Sequence, residues 1–131
     1  MFVDLDGFKA VNDALGHRAG DNLLREAATR LRRTVRPGDT VARLAGDEFA
    51  VLCEDVTSVD EVREIADRIV EAFTLAASRG RPAVTASVGA AVSAPELTDS
   101  EDLLHASDLA MYVAKRRGRN RYIIYERSMA G

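Results

Sequence analysis

Arg43-Leu44-Ala45-Gly46-Asp47-Glu48-Phe49 is the stretch on which the fold turns. It joins two short strand-like runs, residues 40–45 and 48–54, through a glycine-containing tip at Ala45-Gly46-Asp47. Two such runs meeting at a tight turn predict a β-hairpin. The tip carries adjacent carboxylates, Asp47 and Glu48, between apolar strands, which is costly unless something cationic neutralises them. Gly46 would let a ligand come close to the backbone. A solvated Gly-Asp turn is the ordinary alternative, and for the hairpin taken alone it is the favoured reading.

The segments flanking the hairpin alternate between helical and strand patterns. Ahead of it, Phe2-Val3 reads as the end of a strand, and residues 7–15 as a short helix with Asp6 as its N-cap. Residues 19–35 carry an apolar stripe at helical spacing, Leu24, Ala27, Ala28, Leu31 and Val35, broken by Pro37-Gly38. Beyond the hairpin, Ser58 and Glu61 form a capping box that opens a helix with Val62, Ile65, Ala66, Ile69 and Phe73 on its inner face. Residues 83–92 read as a strand. Thr98 and Glu101 are expected to cap a further helix with Leu103, Ala106, Ala110 and Val113 inward, ended by Gly118. Tyr122 to Tyr125 is a last strand. The alternation predicts a sheet domain with flanking helices, and no linker divides residues 1–131.

Composition narrows the function classes. A chain of 131 residues suits one core. A net charge of −3 argues against a nucleic-acid partner, so phosphate binding would have to be local, in a pocket. Cys53 is the only cysteine, so no internal disulfide can form; it lies in the apolar run Phe49–Cys53 and reads as a buried, inert thiol suited to a reducing cytoplasm. No apolar stretch is long enough to span a membrane, and no membrane contact by this domain is expected.

A second acidic site stands near the beginning, in Phe2-Val3-Asp4-Leu5-Asp6-Gly7-Phe8-Lys9. A carboxylate at the end of an apolar strand can hold a hard cation at the sheet's edge, and Mg²⁺ commonly takes one or two carboxylates plus substrate phosphates. The helix that follows offers free backbone N–H groups to phosphate. Asp4 is assigned to the metal and Asp6 to the cap, on the expectation that their side chains do not project together. On spacing alone, capping accounts for both.

Taken together the motifs say more. Asp4-Leu-Asp-Gly-Phe-Lys9, Asn12-Asp13-Ala-Leu-Gly-His17, Gly20-Asp21, Arg43-Leu-Ala-Gly-Asp-Glu-Phe49, and Ala114-Lys115 with Gly118-Arg119-Asn120 resemble, in order and spacing, the GGDEF family of diguanylate cyclases. The resemblance runs over essentially the whole chain. It implies an α+β (α/β sandwich) fold, palm-like and related to nucleotide cyclases and polymerases, with a mixed, mostly antiparallel central sheet. It also implies a reaction in which two GTP molecules condense to cyclic di-GMP and release pyrophosphate, one GTP being held by each of two facing domains of a homodimer.

By that resemblance, Asp4 and Asp47 match metal-binding carboxylates, with the Leu5 carbonyl as a further ligand of Mg²⁺ or Mn²⁺. Glu48 matches the residue that either deprotonates the 3′-hydroxyl or assists the metal. Asn12 and Asp21 match guanine readers, although as bare residues they read sooner as a polar helix face and a helix cap. Gly7, Phe8, Lys9, Lys115 and Arg119 match phosphate contacts. His17 reads as a loop anchor and His105 as a helix-surface residue. Arg36-Pro37-Gly38-Asp39 matches an inhibitory product site for cyclic di-GMP; as a bare pattern it is an ordinary turn. Two departures stand out. The signature has Ala45 where the family has glycine, and a methyl there could crowd the nucleotide or forbid a positive φ. The resemblance also implies an earlier helix and an Asp-x-Leu-Thr-Gly-Leu-x-Asn-Arg segment, without which exposed apolar surface and an unpaired edge are expected. Sensor or phosphodiesterase domains are expected on a longer chain. A degenerate module that binds GTP or cyclic di-GMP without turnover is the alternative.

Overall fold

The computed structural model describes residues 1–79 and 84–130. Its elements in chain order are β1 (Phe2–Asp6), α1 (Phe8–Leu15), α2 (His17–Thr34), β2 (Thr40–Ala45), β3 (Glu48–Leu52), α3 (Val59–Ala77), β4 (Thr85–Ala90), α4 (Ser100–Arg116) and β5 (Arg121–Ile124), with a 3₁₀ turn at Arg127–Ala130. The strands form one sheet in the order β2-β3-β1-β4-β5. All pairs are antiparallel except β4–β5, which α4 connects by a crossover and which is therefore parallel. This is the expected mixed, mostly antiparallel α+β sandwich.

Period-two alternation sorts each strand between two layers. Val3, Leu5, Phe49, Val51, Ala86 and Val88 face α2 and α3, meeting Leu24, Ala27, Leu31, Ile65, Ile69 and Phe73 in the main core. Asp4, Glu48, Ser87 and Gly89 lie on the opposite face, where α4 covers β4, β5 and β1. The approach there is close: a Cβ built on Gly89 would stand 2.2 Å from both Met111 N and Ser107 O, so only glycine lets α4 sit this near the sheet. Toward β2 and β3 the same face is open, and Leu52 is 57% exposed. Edge strand β2 is mostly exposed as well.

Several local expectations need correction. Asp6 does not cap α1; the N-cap position is Gly7, with no side-chain cap bond. The helix expected from residue 19 already starts at His17, so Asp21 lies inside it and is not a cap. The α4 cap is Asp99, whose carboxylate accepts from Glu101 N at 2.8 Å, in place of Thr98. The capping box at α3 is only half made: Ser58 Oγ accepts from Glu61 N, but the Glu61 carboxylate reaches back to Thr57. Strand β5 runs Arg121–Ile124, one residue earlier than expected. Ala83, the first residue of the predicted strand 83–92, lies outside the described residues. Cys53 is half-buried, and burial pushes its thiol above the ordinary value, which keeps it protonated and inert.

Candidate functional site

The carboxyl end of β1, the β2–β3 tip, the start of α1 and the end of α4 converge on one cleft of about 650 Å³. Leu5, Asp6, Gly7, Phe8, Lys9, Asp47, Lys115 and Arg119 line it, as do Ala10 and Asp13, to which no role was assigned from sequence. Asp13 lies four residues after Lys9 on α1, the spacing that puts two side chains on one helix face.

Acidic groups gather at the cleft: Asp6, Asp13 and Asp47 line it, whereas Asp4 and Glu48 lie beside the lining and not in it. Asp4 pairs in register with Glu48 on β3 and with Ser87 on β4, and Leu5 N donates to Asp47 O at 3.2 Å, tying the hairpin tip to β1. Ala45 closes β2 just past a register shift between Arg43 and Ala45 and is not among the positive-φ positions; Gly46, at φ 48, takes the turn, and its carbonyl accepts from Arg43 Nε at 2.9 Å. The methyl at position 45 therefore forces no strain on the tip. Asp4 is 5% exposed. Burial raises its carboxyl above the ordinary value, the nearby Lys115 opposes that, and the charges of Asp47 and Asp6 add to it. Glu48 is raised too, by burial first and then by the charges of Asp4 and Asp108. Asp108 sits two helical turns before Lys115, a spacing that would have found it.

Asp4 Oδ1 lies 2.8 Å from Lys115 Nζ, an ion pair in which the ammonium partly offsets the burial of the carboxylate. A buried carboxylate with acceptor capacity to spare, beside a second carboxylate held above its ordinary pKa, suits a hard cation. Among the described residues no group of three or more His, Cys, Asp or Glu side chains forms a metal cage. Mg²⁺ does not need one where substrate phosphates supply the remaining oxygens. Asp4, Asp47, Glu48 and the Leu5 carbonyl thus fit the cation by chemistry.

Asp4 and Asp6 stand two residues apart on one strand, which places their side chains on the same face, contrary to the expectation. They still differ in use. Asp6 accepts from Thr85 Oγ1 at 2.8 Å, Ser87 Oγ at 2.7 Å and Asn120 N at 3.0 Å, with Arg119 Nε at 4.0 Å.

Asn12 and Asp21 lie outside this cleft, at the α1–α2 junction. Asn12 Nδ2 is 3.3 Å from Nδ1 of His17, which is exposed at the start of α2. A Cβ on Gly20 would come within 2.2 Å of Asn12 Oδ1, so the glycine makes room for that amide, and Asp21 follows it on the exposed side of α2. Arg36 and Asp39 are elsewhere again. Arg36 donates to Asp39 through its backbone N and its guanidinium, to Glu54 O at 2.8 Å and to Glu61. Burial works to raise the Asp39 carboxyl, but the Arg36 hydrogen bonds outweigh it and hold the group below its ordinary value. His105 is exposed on α4.

The family described as "Diguanylate cyclase, GGDEF domain" matches residues 1–121. The chain is 44% identical, over 98% of its length, to the bifunctional diguanylate cyclase/cyclic di-GMP phosphodiesterase MucR of Pseudomonas aeruginosa, and spans 19% of that protein. A structure of the GGDEF domain alone of TpbB (YfiN) from Pseudomonas aeruginosa is similar at TM-score 0.88 and 41% identity, over 98% of this chain and 77% of that one. The GGDEF domain of DgcB from Caulobacter crescentus, in complex with c-di-GMP, is similar at TM-score 0.78 and 32% identity, over 94% and 74%. On sequence and on fold alike, the chain belongs to the diguanylate cyclase GGDEF family.

Proposed function

We propose that the chain is a Mg²⁺-dependent diguanylate cyclase domain that condenses two GTP into one cyclic di-GMP and two pyrophosphates, working as a homodimer in the cytoplasm of a cell that keeps GTP there. The observation that carries this reading is the buried Asp4 carboxylate, ion-paired to Lys115 and in register with Glu48, next to a cleft lined by Asp47, Lys9, Lys115 and Arg119. When bound, the cation would polarise the α-phosphate and offset charge on the departing pyrophosphate. The chain's own groups do the rest. The 3′-oxygen of each GTP attacks the α-phosphorus of the other, its proton passes to Glu48 or to solvent, and Lys9, Lys115 and Arg119 hold the phosphates in line. Asn12 and Asp21 read the guanine edge, an amide and a carboxylate being able to meet its N1–H, N2–H₂ and O6. Lys115, which pairs with Asp4 and also lines the cleft, would be within reach of both the Asp4 carboxylate and a bound phosphate.

Chromatography of products from GTP and Mg²⁺ tests this. Asp47→Ala with Glu48→Ala should abolish cyclic di-GMP, by at least about 10³-fold, while leaving the melting curve intact; turnover surviving in the double variant sinks the assignment. We place an inhibitory cyclic di-GMP site at Arg36 and Asp39. Arg36 can meet a ligand there only by giving up Glu61 or the Glu54 carbonyl, or through its open guanidinium face. Arg36→Ala should relieve product inhibition, and a wild-type inhibition curve in that variant leaves the segment a structural turn. Sensor or phosphodiesterase domains on a longer chain complete the reading.

A further inference from the structure

Asp6 is a buried carboxylate in the cleft that neither the cation nor the phosphates need, and 8% of it is exposed. Its partners show what it holds. Two of its donors, Thr85 Oγ1 and Ser87 Oγ, come from β4, and the third is the backbone N–H of Asn120. With both oxygens engaged, this carboxylate is served by the protein itself, in contrast to Asp4.

Asn120 ends an unusual turn. Gly118, Arg119 and Asn120 are all left-handed, with φ of 119, 63 and 50. Two consecutive non-glycine residues rarely adopt this backbone, Arg119 less readily than Asn120, so surrounding bonds must hold it. On the helix side a Schellman motif does so: Gly118 N donates to Lys115 O at 3.3 Å, and Arg119 N donates to Ala114 O at 3.1 Å. On the far side Asp6 grips Asn120 N, while Asn120 Oδ1 lies 2.8 Å from Thr74 Oγ1 of α3, a hydroxyl whose one proton it shares with Val70 O at 3.0 Å. The residue between the two clamps is Arg119, whose side chain is 61% exposed and lines the cleft.

We propose that Asp6 is a positioning residue: its carboxylate locks the Gly118–Asn120 turn so that the Arg119 guanidinium faces the phosphates, and it is no ligand of the cation. This rests on reading the cleft as a polyphosphate site. A charge-assisted bond lost at one end of such a turn should cost about tenfold in phosphate affinity.

The test is calorimetric titration of the whole chain with inorganic tripolyphosphate and with Mg²⁺-GTP, for wild type, Asp6→Asn, Arg119→Ala and the double variant. Asp6→Asn keeps the size but loses the charge and one acceptor. It should weaken tripolyphosphate about as much as Arg119→Ala does, and the double variant should be no weaker than Arg119→Ala alone. In turnover, KM for GTP should rise about tenfold with kcat within about threefold, and the Mg²⁺ concentration for half-maximal rate should not move. Additive losses, an unchanged affinity, or a shifted Mg²⁺ requirement each overturn the proposal. Should Asp6→Asn fail to fold, Thr74→Val decides: exposed on α3 and outside the cleft, it should weaken tripolyphosphate about threefold in the wild-type background and not at all beside Arg119→Ala. Tripolyphosphate carries no base. Wild type that binds it but neither binds GTP nor makes product refutes the cyclase reading and leaves Asp6 to be judged on the tripolyphosphate data. Wild type that binds neither removes Arg119 as a phosphate contact, and the proposal with it.

Discussion

Asp4 holds its charge at a cost to the fold. It is buried and its carboxyl is raised above the ordinary value, mainly by desolvation. The folded protein therefore keeps this proton to higher pH than the unfolded chain does. Below the unfolded value both states are protonated and nothing is lost; as pH rises through the window up to the raised folded value, stability falls, and it stays lower above it. Asp4→Asn should flatten that decline and leave the cation-free domain at neutral pH more stable by about 1 kcal/mol, while abolishing turnover. Thermal melts across pH check it; a variant less stable than wild type at neutral pH would show instead that the Lys115 contact outweighs the burial. At this scale the sequence was uneven in what it revealed. Asp47 and Glu48 were legible because they sit together on a turn whose strands announce themselves. Asp6 was misread because its partners, Thr85, Ser87 and Asn120, are distant in the chain, and the nearest available job was a helix cap.

The elements were legible wherever apolar periodicity was strong. The inner face of α3 is the predicted one, with Val62, Ile65, Ala66, Ile69 and Phe73 all buried. In α4 the predicted stripe is half right: Ala106 and Ala110 are buried, Leu103 and Val113 only half-buried, and the buried face extends instead over Ser107, Met111 and Ala114. The reason is Gly89: a helix lying this close to a strand needs small or slender side chains at the contact, so size rather than hydrophobicity picks the face. Gly89→Ala should push α4 off the sheet and destabilise the fold by about 2–3 kcal/mol in urea unfolding, shifting the midpoint with little change in slope. Because α4 carries Lys115 and leads into Arg119, the same variant should weaken GTP binding as well as stability. A loss of stability with GTP affinity untouched would mean that the helix end is placed by the Gly118–Asn120 turn alone.

For the whole molecule, one cleft holds one set of acidic and basic groups, and the proposed reaction needs two nucleotides. Turnover per chain should therefore fall as the protein is diluted, rising roughly with concentration until the pairs saturate; a rate per chain that is flat on dilution below any measurable dimer constant would break the two-domain reading. Fold class was legible from motif order, and the exposed apolar surface expected from sequence is found on the open β2–β3 face, whereas the self-satisfied state of Arg36 was not legible, since it depends on which side chains happen to meet in the fold. The strand order also bears on how the chain folds. β1, first in sequence, lies at the centre and pairs with both β3 and β4. During synthesis it has no partner until the hairpin has appeared and none on its other side until β4 has, so the loops to be closed are long and the sheet is assembled late. Nucleotide, whose groups come from β1, the hairpin and the end of α4, can only recognise a chain that has finished that assembly, which makes ligand protection during refolding a clock for the last step rather than the first.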